Sequence, residues 1–207
     1  MPAGEPAGVA RRRSARTLLV LALLACAACA TTRTATAPGA QNWEQRLAAL
    51  QAIGSFDLQG RVAASDGHQG FSAGLRWHQQ GPSATLDLAA PMGFGAAHVE
   101  QSPDGLSLTT SQGVTLTGDA ASRQFAATLG FEPPLGSLRY WVLGASDPTF
   151  PAQETVDDQQ RLTHLEQDGW SIDCSDYAVA DAQWLPRRVV VTRQSLHLTL
   201  IVHAWQL

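Results

Sequence analysis

Residues 55–80, SFDLQGRVAASDGHQGFSAGLRWHQQ, decide the fold. Phe56, Leu58, Gly60 and Val62 fall on one side of an extended chain, and Asp57, Gln59 and Arg61 fall on the other. After Asp66-Gly67 the alternation resumes, with Phe71, Ala73, Leu75 and Trp77 opposed by Ser72, Gly74, Arg76 and His78. A period of two with one apolar face predicts strands with one side out of water, because successive side chains of an extended chain point to opposite faces. Asp-Gly between two such runs is a hairpin signal, since the tight turn needs residues that tolerate positive φ.

The same period recurs on either side of a central break. It appears at 84–88, 97–101, 106–109 and 114–117, then at 160–167, 170–177, 187–193 and 196–205, with a second hairpin signal at Asp168-Gly169. Ahead of the first strand, Asn42 precedes Trp43, Leu47 and Leu50, with Gln45 three places on, which reads as a capped amphipathic helix ending at Gly54. The break holds two further helices, 120–129 between Asp119 and Gly130, and 135–143 stopped by Gly144, separated by Pro133 and Pro134. About ten antiparallel strands are more than a flat sheet carries without curling. The expected class is therefore mainly β, a barrel or strongly curved antiparallel sheet with helices over its open side.

A curved sheet that is apolar inside has room for a cavity that its own side chains do not fill. Candidates to line it are Leu58, Phe71, Leu75, Trp77, Leu86 and Leu88 on the strands and Leu138, Trp141 and Val142 on the last helix. Plain core packing is the competing reading for each, because most inward apolar residues fill space. The turn Ala90-Pro91-Met92-Gly93-Phe94-Gly95 is unusual in another way. Its proline and two glycines keep the backbone out of regular pairing, and Met92 and Phe94 put apolar side chains where polar ones are the default. Folding back into the core is the alternative for both.

The N-terminus has its own logic. Arg11, Arg12, Arg13 and Arg16 precede an uncharged stretch from Thr17 to Ala25, the layout of an export signal. The apolar run is shorter than the ~20 residues a membrane span needs. Leu23, Leu24 and Ala25 before Cys26 resemble the lipobox of bacterial lipoproteins, in which the cysteine is acylated and becomes the new N-terminus. An ordinary signal peptide cut at Ala27, Ala28 or Ala30 is the alternative, and Cys29 is a competing acceptor, although Cys26 would then occupy an aliphatic position. Alanine rather than aspartate follows either cysteine, which by resemblance to the sorting rule of Gram-negative lipoproteins implies the outer membrane. The expected organisation is 1–25 as lipoprotein signal peptide, 26–41 as acylated N-terminus and tether, and 42–207 as one functional domain.

From Cys26 onward the chain carries ten basic and seventeen acidic residues, a net charge of −7, and no lysine. That balance argues against a nucleic-acid partner, whose phosphates need a basic surface. Without a lysine no phosphate-cradling loop of the usual kind is available, so nucleotide-driven work is excluded. Gly93-Phe94-Gly95-Ala96-Ala97-His98 does not open a helix as a dinucleotide loop does, and no serine sits in a G-x-S-x-G elbow. His68, His78, His98, His164, His197 and His203 lack ligand spacing, and Asp157-Asp158 reads as a solvated turn. The expectation is a protein that is no enzyme and holds no metal or cofactor. Cys26, Cys29 and Cys174 are too few for a disulfide framework, and Cys174 alternates with Trp170 and Ile172 as a small buried hydrophobe.

A resemblance rests on Trp43, Gly60-Arg61, Trp77 with Gln79, Pro91-Met92-Gly93, Leu138 with Trp141 and Gly144, Gln167 before Gly169-Trp170, Leu185-Pro186, and Trp205. In order and spacing these residues are similar to the family of outer-membrane lipoprotein receptors LolB, over nearly the whole mature chain. The resemblance implies an unclosed, half-barrel antiparallel sheet with a lid of about three helices over an apolar cavity. It implies a lipid-anchored monomer facing the periplasm, which accepts lipoprotein cargo from the carrier LolA and inserts it into outer-membrane phospholipid. It also implies a role for the turn at Pro91, Met92, Gly93 and Phe94: the family carries a leucine there that is linked to inserting cargo, and Met92 takes its place. Methionine is similarly apolar and more flexible. The competing function is a membrane-anchored lipoprotein that binds a small apolar ligand or scaffolds the envelope.

Overall fold

The alternation that opens the sequence builds the centre of the sheet. In the computed structural model, which describes residues 42–90 and 95–207, β1 (Ser55–Ser65) and β2 (Gly70–Gln80) pair antiparallel from Ser55↔Gln80 to Ser65↔Gly70. Phe56, Leu58, Val62 and Ala64 on β1, and Ala73, Leu75 and Trp77 on β2, are all buried. The intervening side chains face water, as the two-residue period requires.

From β2 the chain meanders outward through β3 (Ser83–Ala89), β4 (Ala96–Ser102), β5 (Gly105–Thr110) and the short β6 (Thr115–Thr117). It then leaves the sheet for α2 (Gly118–Leu129) and α3 (Leu135–Trp141); α1 (Trp43–Gln51) precedes the sheet. The return runs from β7 (Ala152–Val156) through β8 (Leu162–Gln167), β9 (Trp170–Ala180) and β10 (Gln183–Arg193) to β11 (Leu196–Gln206), which pairs with β1. The strand order β6-β5-β4-β3-β2-β1-β11-β10-β9-β8-β7 makes one eleven-stranded antiparallel sheet that is not closed, because β6 and β7 end it without pairing. The strand beyond the expected ten is β7, whose sequence AQETV has no apolar alternation because it is an exposed edge.

Among the described residues the β1–β11 seam is where strand pairing joins the two meanders. It carries a register shift at Gln59/Gly60, and a Cβ at residue 60 would run into the Ile201 carbonyl oxygen. A glycine is therefore required by close backbone approach at a bulge. Gly144, just past α3, has φ +74°, and a Cβ there would lie 2.8 Å from the Tyr177 hydroxyl.

Helix boundaries follow the caps. Asn42 Oδ1 accepts from the Gln45 backbone N–H at 2.8 Å and starts α1. α2 ends at Gly130, which takes up the left-handed conformation. α3 stops at Trp141 rather than continuing to Leu143, and the chain from Val142 to Asp147 is buried. No helix among the described residues is long and apolar enough to cross a membrane.

Candidate functional site

The inner faces of β1, β2, β3 and β11 meet α2 and α3 around a hollow of about 50 Å³ lined only by apolar side chains. Leu75 and Trp77 come from β2, Leu86 and Leu88 from β3, and Leu138 and Val142 from α3 and the residue after it. The strand residues converge because alternation sends every second side chain inward, and Leu138 and Val142 share a helical face four residues apart. The lining also includes Val62, Leu198 and Leu200 on the sheet and Phe125 and Leu129 on α2, which reading the sequence did not single out. The signal for the α2 pair is the four-residue stripe Ala121, Phe125, Leu129, all three buried.

The structure does not bring Leu58 and Trp141 to this hollow. Leu58 is buried and pairs across β1–β2 with Trp77, whose ring stands at the hollow while the Leu58 side chain does not line it. Along this part of β1 the interior is filled by Phe56, its ring tilted against Trp77 and edge-on to Trp205, with centroids 5.6 and 5.5 Å away. Trp141 is fully buried, its ring 6.1 Å from that of Trp170. Phe71 is half-buried and lines a neighbouring hollow near the β3–β4 connection. Cys26 and the turn residues Pro91, Met92, Gly93 and Phe94 lie outside the described residues.

Two buried tryptophans, Trp77 at the hollow and Trp141 away from it, each pair their indole N–H with a glutamine. The Trp77 indole N–H donates to Gln79 Oε1 at 2.9 Å, and Gln79 Nε2 donates to the Gly81 and Ser83 carbonyls at 2.8 and 3.0 Å. The Trp141 indole N–H donates to Gln167 Oε1 at 2.8 Å. That oxygen also accepts from the Asp147 N–H at 2.9 Å, while Gln167 Nε2 donates to the carbonyls of Asp147 and Phe150, both at 2.9 Å. An unpaired indole N–H in such a place would cost roughly 1–3 kcal/mol and attract water. With the Trp77 N–H consumed, the hollow stays wholly apolar.

The same bonds hold α3 in place. Ser137 Oγ donates to Asp147 Oδ2 at 2.7 Å, and the Arg139 guanidinium donates to the Gly81 carbonyl. Behind α3, Cys174 is buried, and loss of hydration pushes its thiol up to about 12, so it remains neutral.

The opposite side of the sheet is wet and charged. Register brings His98 Nδ1 to 2.6 Å from Asp87 with Glu100 at 3.5 Å, and His164 Nδ1 to 2.8 Å from Asp173 with Glu166 at 3.1 Å; His78 lies 2.8 Å from Asp57. Strand pairing makes the three aspartate contacts, which sequence spacing did not disclose, while Glu100 and Glu166 lie two residues on along the histidine's own strand. Among the described residues no group of three or more such side chains is arranged to hold a metal. His98 and His164 titrate above the ordinary 6.5, chiefly through their hydrogen bonds to Asp87 and Asp173. A raised histidine contributes stability that is complete below pH 6.5 and is lost as pH rises through the folded-state value. Both sites are largely exposed, so the effect is small. The urea midpoint of the native chain is expected to fall between pH 6 and pH 9 by more than that of a His98→Gln/His164→Gln chain. Equal falls would show that the pairs contribute nothing.

This open sheet has a counterpart of the same fold among solved structures. A crystal structure of a LolA superfamily protein from Nitrosomonas europaea superimposes with a TM-score of 0.52, covering 81% of this chain and 94% of that one at 9% identity. Sequence is more specific than fold here. The profile described as Outer membrane lipoprotein LolB matches residues 54–205, and this chain belongs to that family of outer-membrane lipoproteins. It is 31% identical over 173 residues to the outer-membrane lipoprotein LolB of Nitrosococcus oceani, covering 83% of this chain and 86% of that protein. To the outer-membrane lipoprotein LolB of Chromohalobacter salexigens it is 30% identical over 166 residues, covering 80% and 77%.

Proposed function

We propose that this protein is a lipid-anchored receptor at the outer membrane, which accepts lipoproteins from the periplasmic carrier LolA and inserts them into the inner leaflet without nucleotide hydrolysis. The observation that carries the reading is the wholly apolar hollow between the sheet and α2–α3, where Gln79 takes up the one indole N–H of the lining. Each acyl methylene left in water costs ~0.8 kcal/mol, so a triacylated cargo needs a dry container at every stage of transit. A void of about 150 Å³ takes a benzene-sized guest. At about 50 Å³ the hollow is too small for an acyl chain, so in this reading the helices part from the sheet to admit one. Transfer then runs downhill, each site binding the chains more favourably than the one before.

In this reading residues 1–25 are the export signal, Cys26 carries the acyl anchor, and residues 26–41 tether the domain 42–207. Sixteen residues reach at most about 55 Å, enough for the domain to meet a carrier and still touch the bilayer. The turn Pro91-Met92-Gly93-Phe94 makes that contact and guides release. With cargo-loaded LolA and the full chain in liposomes, Met92→Glu is expected to accept cargo normally and deposit it at least about tenfold more slowly, since a carboxylate resists entering the membrane. Normal deposition would remove the turn from the mechanism, and failure of the native chain to accept cargo would refute the receptor reading.

A further inference from the structure

Three hollows are each lined in part by α2, and one side chain walls all of them. The first, of about 200 Å³, opens near the β4–β5 turn and is lined by Gln101, Leu106, Glu132 and Leu135, among others. The second is the wholly apolar hollow already described. The third, of about 320 Å³, lies toward the β3–β4 connection, where Phe71, Leu88, Ala97 and Leu108 line it. Phe125 belongs to the wall of every one. Its ring is only 4% exposed, so it fills the junction between them.

We infer that Phe125 is a removable plug: withdrawing its ring joins the three hollows into one passage through which an acyl chain lies under α2. The inference rests on the receptor reading and says where the chain goes. α2 is suited to carry such a plug. It faces the core with the narrow stripe Ala121, Phe125 and Leu129, and among the described residues none of its side chains hydrogen-bonds the sheet. α3, by contrast, is bound through Ser137, Arg139 and Trp141. Apolar contact is non-directional and re-forms against an incoming chain, whereas a broken buried hydrogen bond leaves unpaired groups behind. The helix that can leave at low cost is the one carrying the ring.

The plug opposes entry, so shortening and enlarging it must act in opposite directions. The full chain made acyl-free by Cys26→Ala and Cys29→Ala is titrated with pyrene-labelled palmitate, alongside the same chain carrying Phe125→Leu or Phe125→Trp. Leucine is expected to tighten binding roughly tenfold and tryptophan to weaken it by a similar factor, with thermal unfolding without probe recorded for each. Equal affinities in the three chains, or weakening in both variants that tracks lost thermal stability, would overturn the plug and leave Phe125 an ordinary core residue. Absence of binding in all three would overturn the acyl-binding reading beneath it.

Discussion

Gly60→Ala is expected to lower the free energy of unfolding by about 3 kcal/mol, because the added methyl meets main chain rather than a movable side chain. For a domain of this size that is a fall of roughly 6–12 °C in Tm. The obstacle is the Ile201 carbonyl oxygen, on the strand that joins the two meanders. Relief requires β1 and β11 to move apart at the bulge, weakening the one seam that holds Leu58 and Val62 against the β11 side of the core. Gly74 is the matched control. It also lies inside a strand, paired with Arg61, but a Cβ there would sit 3.7 Å from the Ala89 carbonyl oxygen, an ordinary contact. Gly74→Ala should leave Tm within a few degrees of the native chain. A Gly60→Ala chain as stable as Gly74→Ala would show that the seam has slack.

Gln167→Leu is expected to cost about 4 kcal/mol, the upper range for a single substitution. Leucine matches the volume but abandons the Trp141 indole N–H, the Asp147 N–H and the carbonyls of Asp147 and Phe150. Buried groups stripped of partners cost roughly 1–3 kcal/mol each, and neighbouring losses do not sum fully. Trp141→Phe removes one donor and leaves Gln167 its other three bonds, so it should cost less. In the double variant the two losses should overlap, giving a coupling of about 1 kcal/mol or more in a double-mutant cycle. Strict additivity in urea denaturation would mean that the indole–amide bond does not anchor α3.

Much of this architecture was legible before any coordinate. The alternation at 56–62 and 71–77, the Asp-Gly turns and the Asn42 cap are local signals, and β1, β2 and α1 formed where they stand. β7 escaped because an edge strand needs no apolar face, and its residues show none. The family resemblance was equally local, carried by residues whose roles the structure makes physical. Gln79 and Gln167 serve the indoles of Trp77 and Trp141, Gly60 relieves the β1–β11 bulge, and Gly144 leaves room for the Tyr177 hydroxyl.

The site was legible only in part. Leu75, Trp77, Leu86, Leu88, Leu138 and Val142 share the hollow, while Leu58 and Trp141, inward-facing and apolar by the same rule, lie in packed regions. Periodicity says which face a residue takes, and nothing about whether the facing element leaves a gap. The histidine–carboxylate pairs of the outer face show the same limit, since Asp87 and His98 become partners only through the β3–β4 register.

By itself the sequence determined ten of the eleven strands, their turns, the inward side of each and the family, because those depend on residues near one another in the chain. Tertiary structure alone decided that β6 and β7 are the strands at the open edges, that α3 is bound by hydrogen bonds while α2 rests on apolar contact, and that Phe125 walls three hollows. Each of those outcomes depends on how surfaces distant in sequence fit in space, and packing is a property of the pair and never of either strand or helix alone.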